Sequence, residues 1–370
     1  MPIVQSPQNP SRRRALRTMV AASLLPLIGY CPSSAEATTV TLRASAHRDA
    51  CTSPINVIIP KSYEPPSTER DMRLVRTKLT KATLDFLQTH YAGRNVPLWG
   101  KKFEQIDFEK RISNISYWIL HGVQQHKKIY PVDPAWIMGQ MMAESFFYEF
   151  AVSRAFAVGV CQFIAPTARG YGMLCAGDKD AHAKPPYKAT DKAGQLKRYY
   201  DIRGEWKKAR AKRNAIGGGR STLMHKALVA SSKGKVLPEA SQYLQQNKKV
   251  SALDTQVKDA RDKYREYIKA NLEGRDIFND ADYAFLSGFD QRVTYNKPIP
   301  AMVQMIAEHL RQRNGNIIAA AAGYNAGLRR TQSKDRIYSP YGKLPNFSET
   351  VTYVSRIFIN HHEISRRMTE

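Results

Sequence analysis

"MMAESFFYEFAVSRAFAVGVCQFIAPTA", residues 141–168, sets a carboxylate, Glu144, inside an otherwise apolar helical run. The stretch before it, "YPVDPAWIMGQ" (130–140), supplies the start of a helix. Asp133 can cap the first free backbone N–H groups, and Pro134 suits the first helical position because its φ is already fixed. From that cap Ile137, Met141 and Glu144 fall on one face, while Trp136, Met138 and Met142 make the remaining surface apolar. The spacing predicts a helix buried nearly all round, with Glu144 near its C-terminal end. Burial and the helix macrodipole both disfavour a negative charge there, so the carboxyl is expected to hold its proton to unusually high pH. A carboxyl protonated near neutral pH is what a general acid requires. The alternative is a glutamate neutralised by arginine, and Arg154 is the nearest in sequence.

The flanking sequence is helical too. Val75, Leu79, Ala82 and Phe86 recur at helical spacing, as do Ile112, Ile115, Ile119 and Val123, and each set predicts one apolar stripe facing a shared core. With 370 residues and 42% hydrophobic residues the chain can build a sizeable core. Its formal net charge of +25 favours encounter with an anionic polymer or surface. Nucleic acid, anionic lipid and an anionic wall polymer all meet that description.

The N-terminus discriminates among them. Arg12, Arg13, Arg14 and Arg17 precede an apolar run from Met19 to Ile28, and small residues end in Ala35-Glu36-Ala37. That order predicts a secretory signal peptide over residues 1–37, with a weak likeness to a twin-arginine leader at Ser11-Arg12-Arg13. The apolar run is too short for a spanning helix, which needs about 20 residues, so no transmembrane helix is expected once the leader is removed. Export also makes nucleic acid a poor candidate partner. Cys31 would leave with the leader, and Cys51, Cys161 and Cys175 would remain, Cys161 within an apolar run that suits a buried small hydrophobe. No paired CxxC or HExxH pattern is present, so neither a metal nor another cofactor is expected.

Residues 38–66 read as a linker or an irregular first segment. Residues 176–284 are the other long feature, too long for an unstructured loop. There Val250, Leu253, Val257, Ala260, Tyr264 and Tyr267 repeat at alternating threes and fours, and Leu196, Tyr199, Trp206 and Ala209 suggest a partner helix. The expectation is a helical hairpin or small bundle, broken at "AIGGGRS" and turning again at "SSKGKVLPEAS". From Lys197 to Arg220 it carries nine basic residues against Asp201 and Glu205. That can be a solvated face, or a surface for anionic polymers or a docking protein.

Three boxes carry a resemblance. Glu144-Ser145 is followed by Ala151, Val152 and Ser153, then Ala157, Gly159 and Gln162, then Thr167 and Ala168. Further on come Tyr324, Asn325, Ala326 and Gly327, and finally Pro345, Phe347, Glu349, Thr350, Tyr353 and Val354, with Asn346 inserted. In this order they resemble the E-S-x-F, A-V-S-x-x-G-A-x-G-L-M-Q, A-Y-N-A-G and P-F-x-E-T-x-x-Y-V pattern of soluble lytic transglycosylases. Phe156 stands where the pattern has glycine and Cys161 where it has methionine, and Pro166 comes one residue later than the family's proline.

The resemblance implies a mainly α, lysozyme-like catalytic domain in two parts, residues 67–175 and 285–370, interrupted by the basic helical insertion. It implies an exported enzyme of the periplasm or cell wall that cleaves the MurNAc-GlcNAc β-1,4 bond of peptidoglycan strands and closes a 1,6-anhydro ring. Glu144 would act alone as acid and then base, which needs no second carboxylate flanking the bond. Ser153, Gln162 and Tyr324 would contact the sugar, Asn325 would hold its loop, and Glu349 would support the site through hydrogen bonds. Tyr353 suits core or cleft. Two alternatives stay open: hydrolysis by the same acid, as in goose-type lysozymes, and a wall-binding scaffold of an envelope assembly, suggested by Phe156 and the basic insertion.

Overall fold

A computed structural model describes residues 57–182 and 189–370. The predicted leader, Cys51 and most of segment 38–66 lie outside the described residues. The chain is mainly α, with eleven helices and no strand among the described residues. None of those helices is long and apolar enough to cross a membrane. Two compact units divide the chain: residues 1–146 with 299–370, and residues 147–298.

In the first unit, α1 (Glu69–Tyr91) starts at Thr68, whose side chain accepts from the Asp71 N–H. α2 (Phe108–His126) starts at Asp107, which accepts from Lys110 N–H. The stripes read from sequence are their buried faces: Val75, Leu79, Ala82 and Phe86 on α1, and Ile112, Ile115, Ile119 and Val123 on α2. α3 (Pro134–Ser145) is capped by Asp133, whose Oδ1 accepts from Ala135 N–H at 2.9 Å. Every residue from Pro134 to Met142 is buried, as the apolar pattern predicts. α9 (Pro298–Gln312), α10 (Ile317–Ala326) and α11 (Ser348–Thr369) complete the unit. The ordered end of segment 38–66 is held on it, with Ile59 N–H donating to Gly315 O at 2.9 Å and Tyr63 buried.

α11 packs on α3 and α1. Gly139 makes the close approach possible, since a Cβ there would stand 2.9 Å from the His361 backbone nitrogen. Asn360 Nδ2 donates to Gly139 O at 3.0 Å across the same contact. At the far end of α3, His361 Nε2 lies 2.6 Å from Asp133 Oδ2, with both groups buried. α11 is thus fixed along α3 from His361 back toward Tyr353.

In the second unit, α4 (Ala165–Gly170) follows an irregular turn, and α5 (Ala189–Ala215), α6 (Arg220–Ser232), α7 (Pro238–Leu272) and α8 (Asp280–Phe289) make up the rest. α5 and α7 form the helical hairpin expected from the heptad seam. Ala209, Val250 and Leu253 form its buried cluster, with Ile202 and Trp206 packed against it. The break at "AIGGGRS" is a short 3-10 turn over Ile216–Gly218, in which Gly217 takes φ +66°.

Candidate active site

α3 ends where the site begins. Phe146 closes the helix in the left-handed region (φ +49°), and Phe147 follows at φ +62°. Two bulky residues in that conformation are unusual and need outside support. Part of it comes from Trp99, whose indole N–H donates to Phe146 O at 2.9 Å. Glu144 therefore sits in the last turn, as the sequence predicts. The helix does not run on to Glu149, which is buried in the other unit.

Glu144 is half-buried as a residue, but its carboxyl lies deep enough that loss of solvation dominates its chemistry. Burial pushes its pKa from 4.5 up to about 8, against the opposing pull of a hydrogen bond from Tyr353. The Tyr353 hydroxyl donates to Glu144 Oε1 at 2.5 Å, bringing α11 onto the end of α3. Burial and the adjacent Glu144 raise the Tyr353 pKa well above 10, so the hydroxyl keeps its proton and remains a donor. Tyr324, partly buried on α10, also acts electrostatically on Tyr353. The groups that set Glu144's titration are thus burial and a tyrosine. Arg154, the cation nearest in sequence, is exposed and its charge falls on Asp262.

The structure brings some of the predicted site residues together within the first unit. Glu144 meets Tyr353, and Thr350 Oγ1 donates to Asn325 Oδ1 at 2.8 Å, tying the Y-N-A-G box to the last box. Asn325 is in the last turn of α10 and Gly327, at φ +87°, ends it. Glu349 is exposed in the first turn of α11, one turn before Tyr353, and its place there brings it no hydrogen bond of its own to Glu144, whose carboxylate partner is Tyr353.

Ser153 and Gln162 belong to the second unit and stabilise a turn there. Ser153 Oγ accepts from the N–H groups of Ala155 and Ala157 at 3.2 and 2.9 Å. Gln162, at φ +49°, donates through Nε2 to Ala151 O and Gly159 O at 3.2 and 2.8 Å. Gly159 is required: at φ +84° an added Cβ would come within 1.8 Å of Arg292 O.

Sequence reading missed the group beneath this turn. Arg292, 1% exposed, forks onto Asp290 through Nε and Nη2 at 2.8 and 2.6 Å. Its Nη1 donates to Phe156 O and Phe163 O at 2.8 and 3.0 Å. Phe156, at φ +64°, turns its ring to α5 and α7, edge-on to Tyr199 and Tyr264 at 5.1 and 4.9 Å between centroids. α7 adds a bond from Arg265 Nε to Val152 O at 3.0 Å. α5 and α7 therefore buttress the motif turn, and the phenylalanine in place of glycine is their anchor.

The transglycosylase SLT domain family matches residues 122–221, which takes in Glu144, Ser153, Gln162 and all of α5. The match supports the soluble lytic transglycosylase family for this part of the chain and indicates an activity of the lytic transglycosylase type. The two later boxes lie beyond the match. No curated protein and no solved structure matches the chain.

Proposed function

We propose that this protein is an exported lytic transglycosylase that cleaves the MurNAc-GlcNAc β-1,4 bond of peptidoglycan, with Glu144 as its single acid and base. The observation that carries this reading is the Glu144 carboxyl itself, held protonated up to about pH 8 by burial while a single O–H donor stands ready for its anion. Protonated Glu144 gives its proton to the leaving glycosidic oxygen as the C1–O bond breaks. The carboxylate left behind is stabilised by the Tyr353 O–H. It then accepts the proton of the MurNAc C6 hydroxyl as that oxygen attacks C1 and closes the 1,6-anhydro ring. Proton and bond counts balance without water, and the acid ends as it began.

Ser153, Gln162 and Tyr324 are the sugar-contacting groups in this reading, Asn325 holds its loop, and Glu349 supports the site through hydrogen bonds. Phe156, whose size suggested a weakened cleft, is buried against Tyr199 and Tyr264. That supports an enzyme over a scaffold. The basic face of α5 is the surface for anionic wall polymers or a docking protein of the envelope.

The test is mass spectrometry of the sugars released from purified peptidoglycan by the mature protein and by Glu144→Gln. Ends in 1,6-anhydroMurNAc, lost with the variant, are expected. Reducing ends would mean hydrolysis as in goose-type lysozymes, and no release by the wild type would favour the scaffold. The proposal also predicts a rate that falls as pH rises through about 8, when Glu144 loses its proton.

A further inference from the structure

We propose that Gln140 is a positioning residue which, seated by Trp136, directs the Tyr353 hydroxyl onto Glu144 and so completes a one-way chain of donors ending on the acid. The functional weight of this chain rests on the reading of Glu144 as the acid, whereas its geometry does not. Trp136, Gln140 and Glu144 follow at intervals of four on α3, the first two buried among its packed faces.

An indole offers only a donor, and Trp136 Nε1 donates to Gln140 Oε1 at 3.1 Å. That fixes which way the amide faces, because a flipped amide would set its NH2 against the indole N–H. Gln140 Nε2 then points away from Trp136, fully buried and with no hydrogen bond of ordinary geometry. Such an orphan donor is costly and uncommon in a core this well packed. The group it acts on is the Tyr353 oxygen, where it favours negative charge. Tyr353 spends its one proton on Glu144 Oε1 at 2.5 Å, so its oxygen has lone pairs left for an amide N–H.

Direction follows from this inventory. Trp136 can only give, Gln140 receives at oxygen and gives at nitrogen, Tyr353 receives and gives, and Glu144 receives. Donors in series polarise one another, so a gift to the Tyr353 oxygen strengthens the one Tyr353 makes. The other groups around the chain are few. Tyr324 on α10 acts on Tyr353, while His361, paired with Asp133 at the N-terminal end of α3, lies against the other end of the chain with its ring 5.3 Å from that of Trp136. α1 and α2 also pack on α3, but the groups acting on Glu144 and Tyr353 are burial, each other, Tyr324 and Gln140.

The experiment is a carboxyl 13C NMR titration of Glu144 in the full chain without substrate, its signal assigned by its loss in Glu144→Gln. Gln140→Met removes the relay amide at similar length, and Trp136→Phe removes the seating N–H together with part of the indole that packs on Phe358 and His361. Each is expected to raise the Glu144 pKa by about half a unit, in the direction of Tyr353→Phe and by less. A Glu144 titration unchanged in Gln140→Met, while Tyr353→Phe shifts it, would overturn the proposal. If Gln140→Met does not fold, Trp136→Phe decides in the same way, since it keeps an aromatic ring in place. Because no substrate is used, failure of wild-type protein to cleave glycan would refute the proposed function and leave this result standing. In active protein the alkaline limb of the pH–rate profile must move upward with the titration, a change that mere loss of packing would not produce.

Discussion

The helix end that carries Glu144 and the turn that carries Ser153 and Gln162 follow each other in the chain, yet they are held by opposite means. Around Glu144 the walls are apolar, the charge is left uncompensated, and one O–H at 2.5 Å is the counterweight. Beneath the second turn a guanidinium makes four hydrogen bonds, forked onto Asp290 and bonded to two backbone carbonyls. The first arrangement tunes a proton, which requires that the ionised form be poorly served. The second fixes a shape, which requires that the charge be paired and its donors engaged. Substitutions that confuse these two logics should have different signatures.

The largest expected effect is on activity. Glu144→Gln keeps shape and hydrogen bonding but carries no transferable proton, so cleavage of peptidoglycan should fall by at least about 10²–10⁴-fold. Folding by circular dichroism should be unchanged. A variant that retained a tenth of wild-type release would mean that another group supplies the proton.

Arg292→Met makes the contrasting break. It leaves Asp290 buried without its partner and strips two carbonyls of their donor, a loss of about 3–5 kcal/mol. Thermal unfolding should report it, with Glu144 titrating as before. An unaltered melting temperature would show that the turn is held by its own backbone bonds.

Phe156 sharpens the comparison further, because its ring and its backbone pull in different directions. Phe156→Ala loses the packing on Tyr199 and Tyr264, about 3 kcal/mol or more, and keeps the strain of a left-handed φ. Phe156→Gly loses the same ring but relieves roughly 1 kcal/mol of that strain. The glycine variant should therefore melt higher than the alanine variant although it is smaller, and the reverse order would remove the ring from its role as anchor. Both should loosen α5 and α7 in hydrogen exchange.

Legibility from sequence divided along the same line. α3 was readable to its ends because Asp133, Pro134 and an unbroken apolar run each have a local signature, and Glu144 was conspicuous as the exception within it. Tyr353 could be placed on a helix, but its meeting with Glu144 depends on Gly139 admitting α11, a long-range approach without a local pattern. Gln140 was visible four residues before Glu144, yet only the direction of its amide gives it meaning. Arg292 lies 136 positions from Phe156, whose carbonyl it holds, and nothing in either neighbourhood announces the other. Phe156 itself read as an obstruction because the pattern has glycine there, and only the tyrosines of α5 and α7 explain its size.

The last expected effect is the most direct reading of the uncompensated charge. Glu144 titrates near 8 in the folded chain against 4.5 for an ordinary glutamate, so between those values the native state binds more protons than the unfolded state. Stability must then fall as pH rises from about 4.5 to about 8 and level off above, the reverse of a salt-bridged carboxylate. Glu144→Gln has no such slope at this position. The variant should match the wild type near pH 4.5 and gain on it steadily, melting higher at pH 8.5 by about 2–4 °C for each kcal/mol of charge burial relieved. A difference in melting temperature that stays constant across the range would mean that Glu144 ionises freely in the folded protein. It would then be a poor acid at neutral pH, and the apolar walls around it would have to be explained by packing alone.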